Sequence, residues 1–146
     1  MDINDQFTLP ISVENFLPHR KPILMINRIL EVNDPEKSSI IEAIIDDNNL
    51  FVDNDGKLEP EALIEIMAQA AAAQHGYNLA RENKKEEKGF LVGIKKFNFL
   101  QDVKKGDSLQ IEVKLGTEIE SLSMIHGKTF CNGNEIATIE FTVWHG

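Results

Sequence analysis

A single long helix is the sequence feature that most constrains this chain. Residues 60–82 carry apolar side chains at helical spacing, and Pro60 suits the first turn, where a missing N–H costs nothing. One face of this predicted helix is mostly apolar: Leu63, Met67, Ala70, Gln74 and Tyr77. A second face starts at a carboxylate and continues with mostly small residues: Glu65, Ala68, Gln69, Ala72 and Gly76. Because small side chains let other elements approach closely, we predict that a sheet wraps around this helix.

Six β-strands are predicted around the helix. Two precede it and four follow, at residues 23–32, 38–46, 90–99, 108–115, 121–131 and 135–144. Their apolar residues are largely β-branched or alternate with polar ones, as in half-buried strands. Asn132-Gly133 predicts a hairpin turn, and Ser12 predicts the N-cap of a brief helix. The expected fold is α+β: residues 1–146 form one domain, with a long central helix wrapped by an antiparallel six-stranded sheet.

Charge and cysteine content argue against several function classes. The 146 residues include 15 basic and 24 acidic side chains, and the net charge of −9 argues against nucleic-acid binding. The single cysteine, Cys131, excludes an intrachain disulfide and a cysteine zinc site. No His-x-x-x-His or cysteine-rich spacing points to a metal, and no nucleotide-binding glycine loop occurs, so no metal or other cofactor is expected. Without a signal peptide or an apolar run of membrane-spanning length, the expectation is a cytoplasmic protein with no membrane partner.

Three segments, in this order, resemble the hotdog-fold β-hydroxyacyl-acyl carrier protein dehydratases of the FabZ type. Residues 17–28 (LPHRKPILMINR) resemble that family's Leu-Pro-His-Arg-x-Pro opening and the strand after it. Residues 65–71 (EIMAQAA) are similar to its Glu-Ala-hydrophobic-Ala-Gln-Ala helix. Residues 89–94 (GFLVGI), followed by Gly106-Asp107, resemble its next strand and turn. The resemblance implies a hotdog domain whose subunits pair through their sheets, with sites at the interface.

The loop before the helix departs from that family. FabZ-type enzymes carry a catalytic His there, in a Gly-His-Phe-Pro-Gly-His-Pro sequence, whereas residues 49–60 of this chain read NLFVDNDGKLEP. The chain looks closer to a divergent FabZ-like branch associated with aryl polyene-type biosynthesis, in which an Asp- and Gly-containing loop occupies this place. A dehydratase built on this sequence therefore needs non-standard catalytic residues.

Two residues are the candidates for catalysis. Dehydrating a 3-hydroxyacyl thioester requires groups that remove a Cα proton and protonate the leaving hydroxyl. Glu65 is the first candidate, because burial beside small residues would raise the pKa of its carboxyl toward a useful range. His19 is the second; its alternative role is structural. Gln69 lies four residues after Glu65 on the same face, where it can orient Glu65, contact substrate or serve only in packing.

Other residues are candidates for binding. Asp53 and Asp55 occupy the place of the absent His, where they form a turn or one of them serves as a substitute acid; Asp53 is the one predicted to contact substrate. Phe51 and Gly93 complete the predicted substrate-binding set. His75 is expected at the helix edge, and His126 and His145 at the surface.

A local basic patch is expected to dock the carrier protein. Acyl carrier proteins are strongly acidic, so a chain of net charge −9 needs positive side chains near its site. Arg20, Lys21 and Lys95 are the candidates.

Three functions remain open on the sequence. The first is dehydration of 3-hydroxyacyl groups carried by acyl carrier protein or coenzyme A, in fatty acid or polyene-type biosynthesis. The second is a catalytically inactive partner subunit or an acyl-thioester-binding protein. The third is thioester hydrolysis, for which Glu65 could supply the carboxylate. The resemblance also implies a homo-oligomer built from dimers.

Overall fold

The long helix and the strands lie close to where the sequence predicts them. The structure, a computed structural model, describes residues 6–85 and 89–145. Helix α1 comprises Ala62–Arg81. The strands are β1 (Ile11–Ser12), β2 (Arg28–Asn33), β3 (Ser38–Ile44), β4 (Gly89–Phe99), β5 (Ser108–Ile119), β6 (Leu122–Cys131) and β7 (Asn134–His145). Part of the charged run after α1, residues 86–88, lies outside the described residues.

All seven strands form one antiparallel sheet in the order β1-β2-β3-β5-β6-β7-β4. The sheet has one strand more than predicted, because the two residues of β1 pair with Ile29 and Arg28 of β2. A 3₁₀ turn over Val13–Asn15 follows β1, and the Ser12 hydroxyl accepts a hydrogen bond from the Glu14 N–H, which confirms the predicted N-cap.

Residues 23–27 are not a strand, contrary to the prediction. The backbone N–H of Met25 donates to Gln69 Oε1 at 2.9 Å, and the carbonyl of Ile23 accepts from Gln69 Nε2 at 2.9 Å. A helix side chain thus satisfies backbone groups that a neighbouring strand would otherwise pair. The strand begins only at Arg28, which pairs with Glu42 of β3.

The predicted apolar face of α1 forms the centre of the core. Its five residues, Leu63, Met67, Ala70, Gln74 and Tyr77, are all buried. Beneath Met67 the sheet carries Gly127, where an added Cβ would lie 2.9 Å from Ile139 Cγ2 and 3.0 Å from Met67 Sδ. The missing side chain at Gly127 therefore lets the helix sit close on β6.

The small-residue face of α1 is covered in part by the N-terminal segment rather than by the sheet. Phe16 approaches Gly76 so closely that an added Cβ there would lie 2.7 Å from the Phe16 carbonyl oxygen. The segment after Phe16 then runs along the helix to the Gln69 hydrogen bonds at Ile23 and Met25. Gly76 and Gln69 together set the course of residues 16–25.

Strand β4 is an edge of the sheet and is exposed along most of its length. It pairs with β7 on one side only within the described residues. Large apolar side chains on it remain in contact with solvent: Phe90, Leu91, Val92, Ile94 and Phe99. An edge of this length and apolarity is a template for pairing with another chain. No helix among the described residues is long and apolar enough to cross a membrane.

Candidate active site

Gln69 joins helix α1 to the segment that carries the first sequence motif. The side chain is 3% exposed, and three of the four hydrogen-bonding positions of its amide are used. Its oxygen accepts from the Met25 N–H, while its nitrogen donates to the Ile23 carbonyl and, at 3.1 Å, to Glu65 Oε1. Both N–H groups of the Gln69 amide are thus in use, and a substrate could bond to them only by displacing the Ile23 carbonyl or Glu65.

Glu65 lies one turn before Gln69 and is exposed. The predicted burial of this residue is wrong for the chain on its own, since Glu65 is exposed while Ile66 and Met67 beside it are fully buried. The hydrogen bond from Gln69 nevertheless fixes one carboxylate oxygen.

His19 lines the wall of a large cavity. Its side chain is half-buried, and its Nδ1 is fully buried without a hydrogen-bond partner in the part of the chain that the structure describes. A buried ring nitrogen left unpaired is unusual in a protein interior.

The cavity has a volume of about 560 Å³ and lies between the small-residue face of α1 and the inner face of the sheet. Ala68 and Ala72 of the helix line it, and so do Leu115, Phe141 and Val143 of the sheet. Most of its walls are apolar, as in pockets that bind small molecules. Glu65 is not part of its lining, although Ala68 lies less than one turn further along the helix.

The loop before the helix is built around Asp53. Its carboxylate accepts hydrogen bonds from the backbone N–H groups of Asp55 and Lys57, at 2.9 and 3.0 Å. This arrangement corresponds to the turn-forming role that the sequence left open beside substrate contact. Phe51 is in the same loop and 39% exposed, with its carbonyl bonded to the Glu59 N–H.

Arg20 and Lys21, two of the predicted docking residues, make different contacts. The Arg20 guanidinium donates to the carbonyls of Leu17 and His19 and pairs with Glu14 at 2.9 Å, so it braces its own loop. Lys21 is more accessible and pairs with Asp46 at 3.0 Å. The pKa of Asp46 is lowered by the hydrogen bond from the Asn48 N–H and, secondarily, by Lys21.

Two further predicted residues lie on the edge strand. Lys95 is exposed at an irregularity of β4, where the pairing with β7 shifts between Ile94 and Lys96. Gly93 follows a similar shift, and an added Cβ there would meet nothing within 4 Å. Neither residue lines the cavity.

The sequence interpretation missed a polar cluster in the cavity. Ser123 of β6 lies 3.0 Å from His145 Nε2 at the end of β7, and the His145 ring is 5.5 Å from that of His75. His145, predicted at the surface, is half-buried and lines the cavity, whereas the side chain of His126 is 43% exposed, 3.4 Å from Glu140. The alternation of β6 could have found Ser123, since it shares the inner face with buried Ile125 and Thr129.

No cluster of metal-ligating residues occurs within residues 6–85 and 89–145. The chemically useful groups are thus the Glu65 carboxylate, the imidazoles and the Ser123 hydroxyl.

Comparison with known proteins identifies the family. The family model described as ApeP-like, ApeP dehydratase, matches residues 11–146. A 3-hydroxyacyl-[acyl-carrier-protein] dehydratase FabZ from Caldicellulosiruptor bescii is 30% identical over 138 residues, which cover 88% of this chain and 96% of the relative.

Solved structures share the fold. One chain of the dehydratase heterocomplex ApeI:P from Xenorhabdus doucetiae superposes with a TM-score of 0.83 at 21% identity, over 93% of this chain and 91% of that one. A hypothetical thioesterase with coenzyme A from Streptococcus pneumoniae has a TM-score of 0.64 at 12% identity, over 81% and 84% of the two chains. The α+β architecture is that of the hotdog fold, and the chain belongs to the ApeP-like family of dehydratases, related to FabZ.

Proposed function

We propose that this chain dehydrates 3-hydroxyacyl thioesters carried by acyl carrier protein, with Glu65 as the catalytic acid–base group. The observation that carries the proposal is the hydrogen bond from Gln69 to Glu65 Oε1, which positions one carboxylate on the helix motif shared with FabZ-type dehydratases. A general base must be held in place before it can take a proton efficiently. Gln69 is the positioning residue, because its other two hydrogen bonds anchor it to residues 23–25.

The reaction needs no covalent intermediate. Glu65 removes the Cα proton of the bound thioester, and the β-hydroxyl leaves as water after receiving a proton. His19 is the proposed second group, because its imidazole lines the cavity and its buried Nδ1 is unpaired among the described residues. The acyl chain occupies the apolar cavity beside Ala68 and Ala72.

A second subunit is proposed to complete the site. Glu65 is exposed in the single chain, and the unpaired edge of β4 carries large apolar side chains beside the same cavity. Pairing along β4 would cover this edge. The ApeI:P structure is a heterocomplex, so the partner of this chain is either a second copy or a related subunit.

The test is a turnover assay with 3-hydroxyacyl-acyl carrier protein, followed by mass spectrometry. Loss of water identifies the dehydratase, whereas release of free acid would identify a thioesterase. Glu65→Gln should lower kcat by a factor of 10² or more, in line with the usual contribution of a general base, about 10²–10⁴. Glu61→Gln is the matched control, since Glu61 is an exposed residue at the start of the same helix without a side-chain cap.

Two outcomes would contradict the proposal. Full activity of Glu65→Gln removes Glu65 from the mechanism. Absence of turnover by the chain, both alone and mixed with a related dehydratase subunit, favours the inactive or acyl-binding role.

A further inference from the structure

The polar cluster at one end of the cavity is not explained by the dehydration chemistry. It is formed by three side chains from three elements: Ser123 of β6, His145 of β7 and His75 of α1. Each of them lines the cavity, whose neighbouring walls are Leu115, Ile125 and Val143. Ser123 itself is 5% exposed. A hydroxyl and two imidazoles in an apolar pocket are the kind of sparse polar groups that orient a ligand.

The cluster retains hydrogen-bonding capacity. Ser123 Oγ and His145 Nε2 lie 3.0 Å apart. A serine hydroxyl has one donor and two acceptor positions, so this bond leaves at least one position unused whichever partner donates. A ligand oxygen placed beside Ser123 can therefore bond to it without breaking the pair.

The position of the cluster sets the distance to the proposed reacting group. His75 is ten residues after Glu65 on α1, which corresponds to about 15 Å along the helix axis. The cavity spans this interval, since Ala68, Ala72 and His75 all line it. A chain whose thioester lies near Glu65 would thus bring atoms well beyond the reacting carbons to Ser123.

The negative charge of a neighbouring glutamate bears on which polar group of a ligand can bind at Ser123. Glu118 of β5 pairs with Ser123 in the sheet register and lines the same cavity. Its carboxylate disfavours a second carboxylate at this place, because like charges repel. A neutral hydroxyl can both donate to and accept from the Ser123–His145 pair.

We propose that Ser123, His145 and His75 form a subsite for a hydroxyl group on the distal part of the acyl chain. The chain then prefers thioesters that carry such a hydroxyl over those with a plain alkyl end. This inference rests on the proposed function in one respect, the placement of the thioester near Glu65.

The test measures binding, so that it does not depend on turnover. The probes are the pantetheine thioesters of dodecanoate, 12-hydroxydodecanoate and dodecanedioate, none of which has a 3-hydroxyl to eliminate. Calorimetric titration of the full chain should show the 12-hydroxy probe binding about fivefold more tightly than the alkyl probe, equivalent to one net hydrogen bond of about 1 kcal/mol. The dicarboxylate probe should bind no better than the alkyl probe.

Two variants assign the preference to the cluster. Ser123→Ala should reduce the ratio of the two affinities, 12-hydroxy probe over alkyl probe, to about one, while affinity for the alkyl probe stays within twofold of the unchanged chain. His145→Phe should lower the same ratio. Thr129→Val is the matched control, because Thr129 is a buried hydroxyl on the same face of β6 but does not line the cavity.

Three results would overturn the inference: no preference in the unchanged chain, a preference that survives both cluster variants, or no binding of any probe. If only the dehydratase proposal is wrong, the turnover assay detects no dehydration, but the 12-hydroxy probe still binds more tightly than the alkyl probe and Ser123→Ala still removes that difference.

Discussion

Gln69 and Glu65 lie one helical turn apart and share a hydrogen bond of 3.1 Å, and the same Gln69 amide holds the backbone of Met25. The proposed catalytic carboxylate and the segment that carries His19 are thereby fixed to one side chain. A change at Gln69 acts on both stability and chemistry.

Replacing Gln69 by Met should lower the free energy of unfolding by about 2 to 3 kcal/mol. The variant keeps the volume but leaves the N–H of buried Met25 without its partner, and an unsatisfied buried group costs about 1–3 kcal/mol beyond the lost bonds. Urea denaturation measures the loss. Gln74→Met is the control, since Gln74 is buried on the same helix with a 3.2 Å bond to the Lys37 carbonyl; equal losses in both variants would contradict the special role of Gln69.

Thr129→Val should stabilise the protein by about 1 kcal/mol. Thr129 is fully buried, and its hydroxyl has no hydrogen-bond partner within the described residues. Removing an unsatisfied buried hydroxyl while keeping the shape of the side chain recovers part of its desolvation cost. Thermal or urea denaturation measures the gain, and a loss of stability would mean that the hydroxyl is satisfied in solution.

The helix and most strands were predictable because each has a regular pattern of burial. The alternation in β5 and the apolar face of α1 follow directly from which residues contact the core. The prediction was wrong for residues 23–27, because their apolar composition is typical of a strand. Their backbone instead forms a hydrogen bond with the side chain of Gln69, 44 positions from Met25. A local sequence pattern cannot predict a hydrogen bond between residues so far apart in the chain.

The candidate site was predictable only in part. Glu65 and Gln69 share a face at helical spacing, and their hydrogen bond follows from that spacing. The Ser123–His145 pair joins residues 22 positions apart on neighbouring strands. This contact depends on the register of β6 with β7, in which Ser123 pairs with Val143. The sequence alone does not predict that register.

Ile94→Lys should convert a dimer into a monomer. We expect the unchanged chain to be dimeric at micromolar concentration through the β4 edge, where Ile94 is 44% exposed. A lysine on an edge strand opposes strand pairing, since pairing would bury its charge. Sedimentation velocity measures the change. Leu50→Lys, the same change at a 64% exposed residue in the loop before α1, should leave the dimer intact, and a monomeric unchanged chain would contradict β4 self-pairing.

Lys21→Gln should raise KM for substrate linked to acyl carrier protein by several-fold and leave KM for the corresponding pantetheine thioester unchanged. Of the neighbouring candidates Arg20 and Lys21, Lys21 is the better test, because Arg20 is bonded to the carbonyls of Leu17 and His19 and its loss would disturb the loop. The Lys21 side chain is 61% exposed, and its ion pair with Asp46 contributes little to stability, as is usual for exposed pairs.

Removing this charge weakens attraction to an acidic carrier, and salt should have the same effect because exposed charges are screened beyond about 10 Å at 0.1 M. Lys114→Gln is the matched control: it also breaks an exposed ion pair, with Glu36, and lies outside the cavity. Steady-state kinetics with both substrates at two salt concentrations separate the cases. If Lys21→Gln impairs both substrates equally, Lys21 acts on the site itself and the carrier docks elsewhere, for which Lys95 on β4 is the next residue to change.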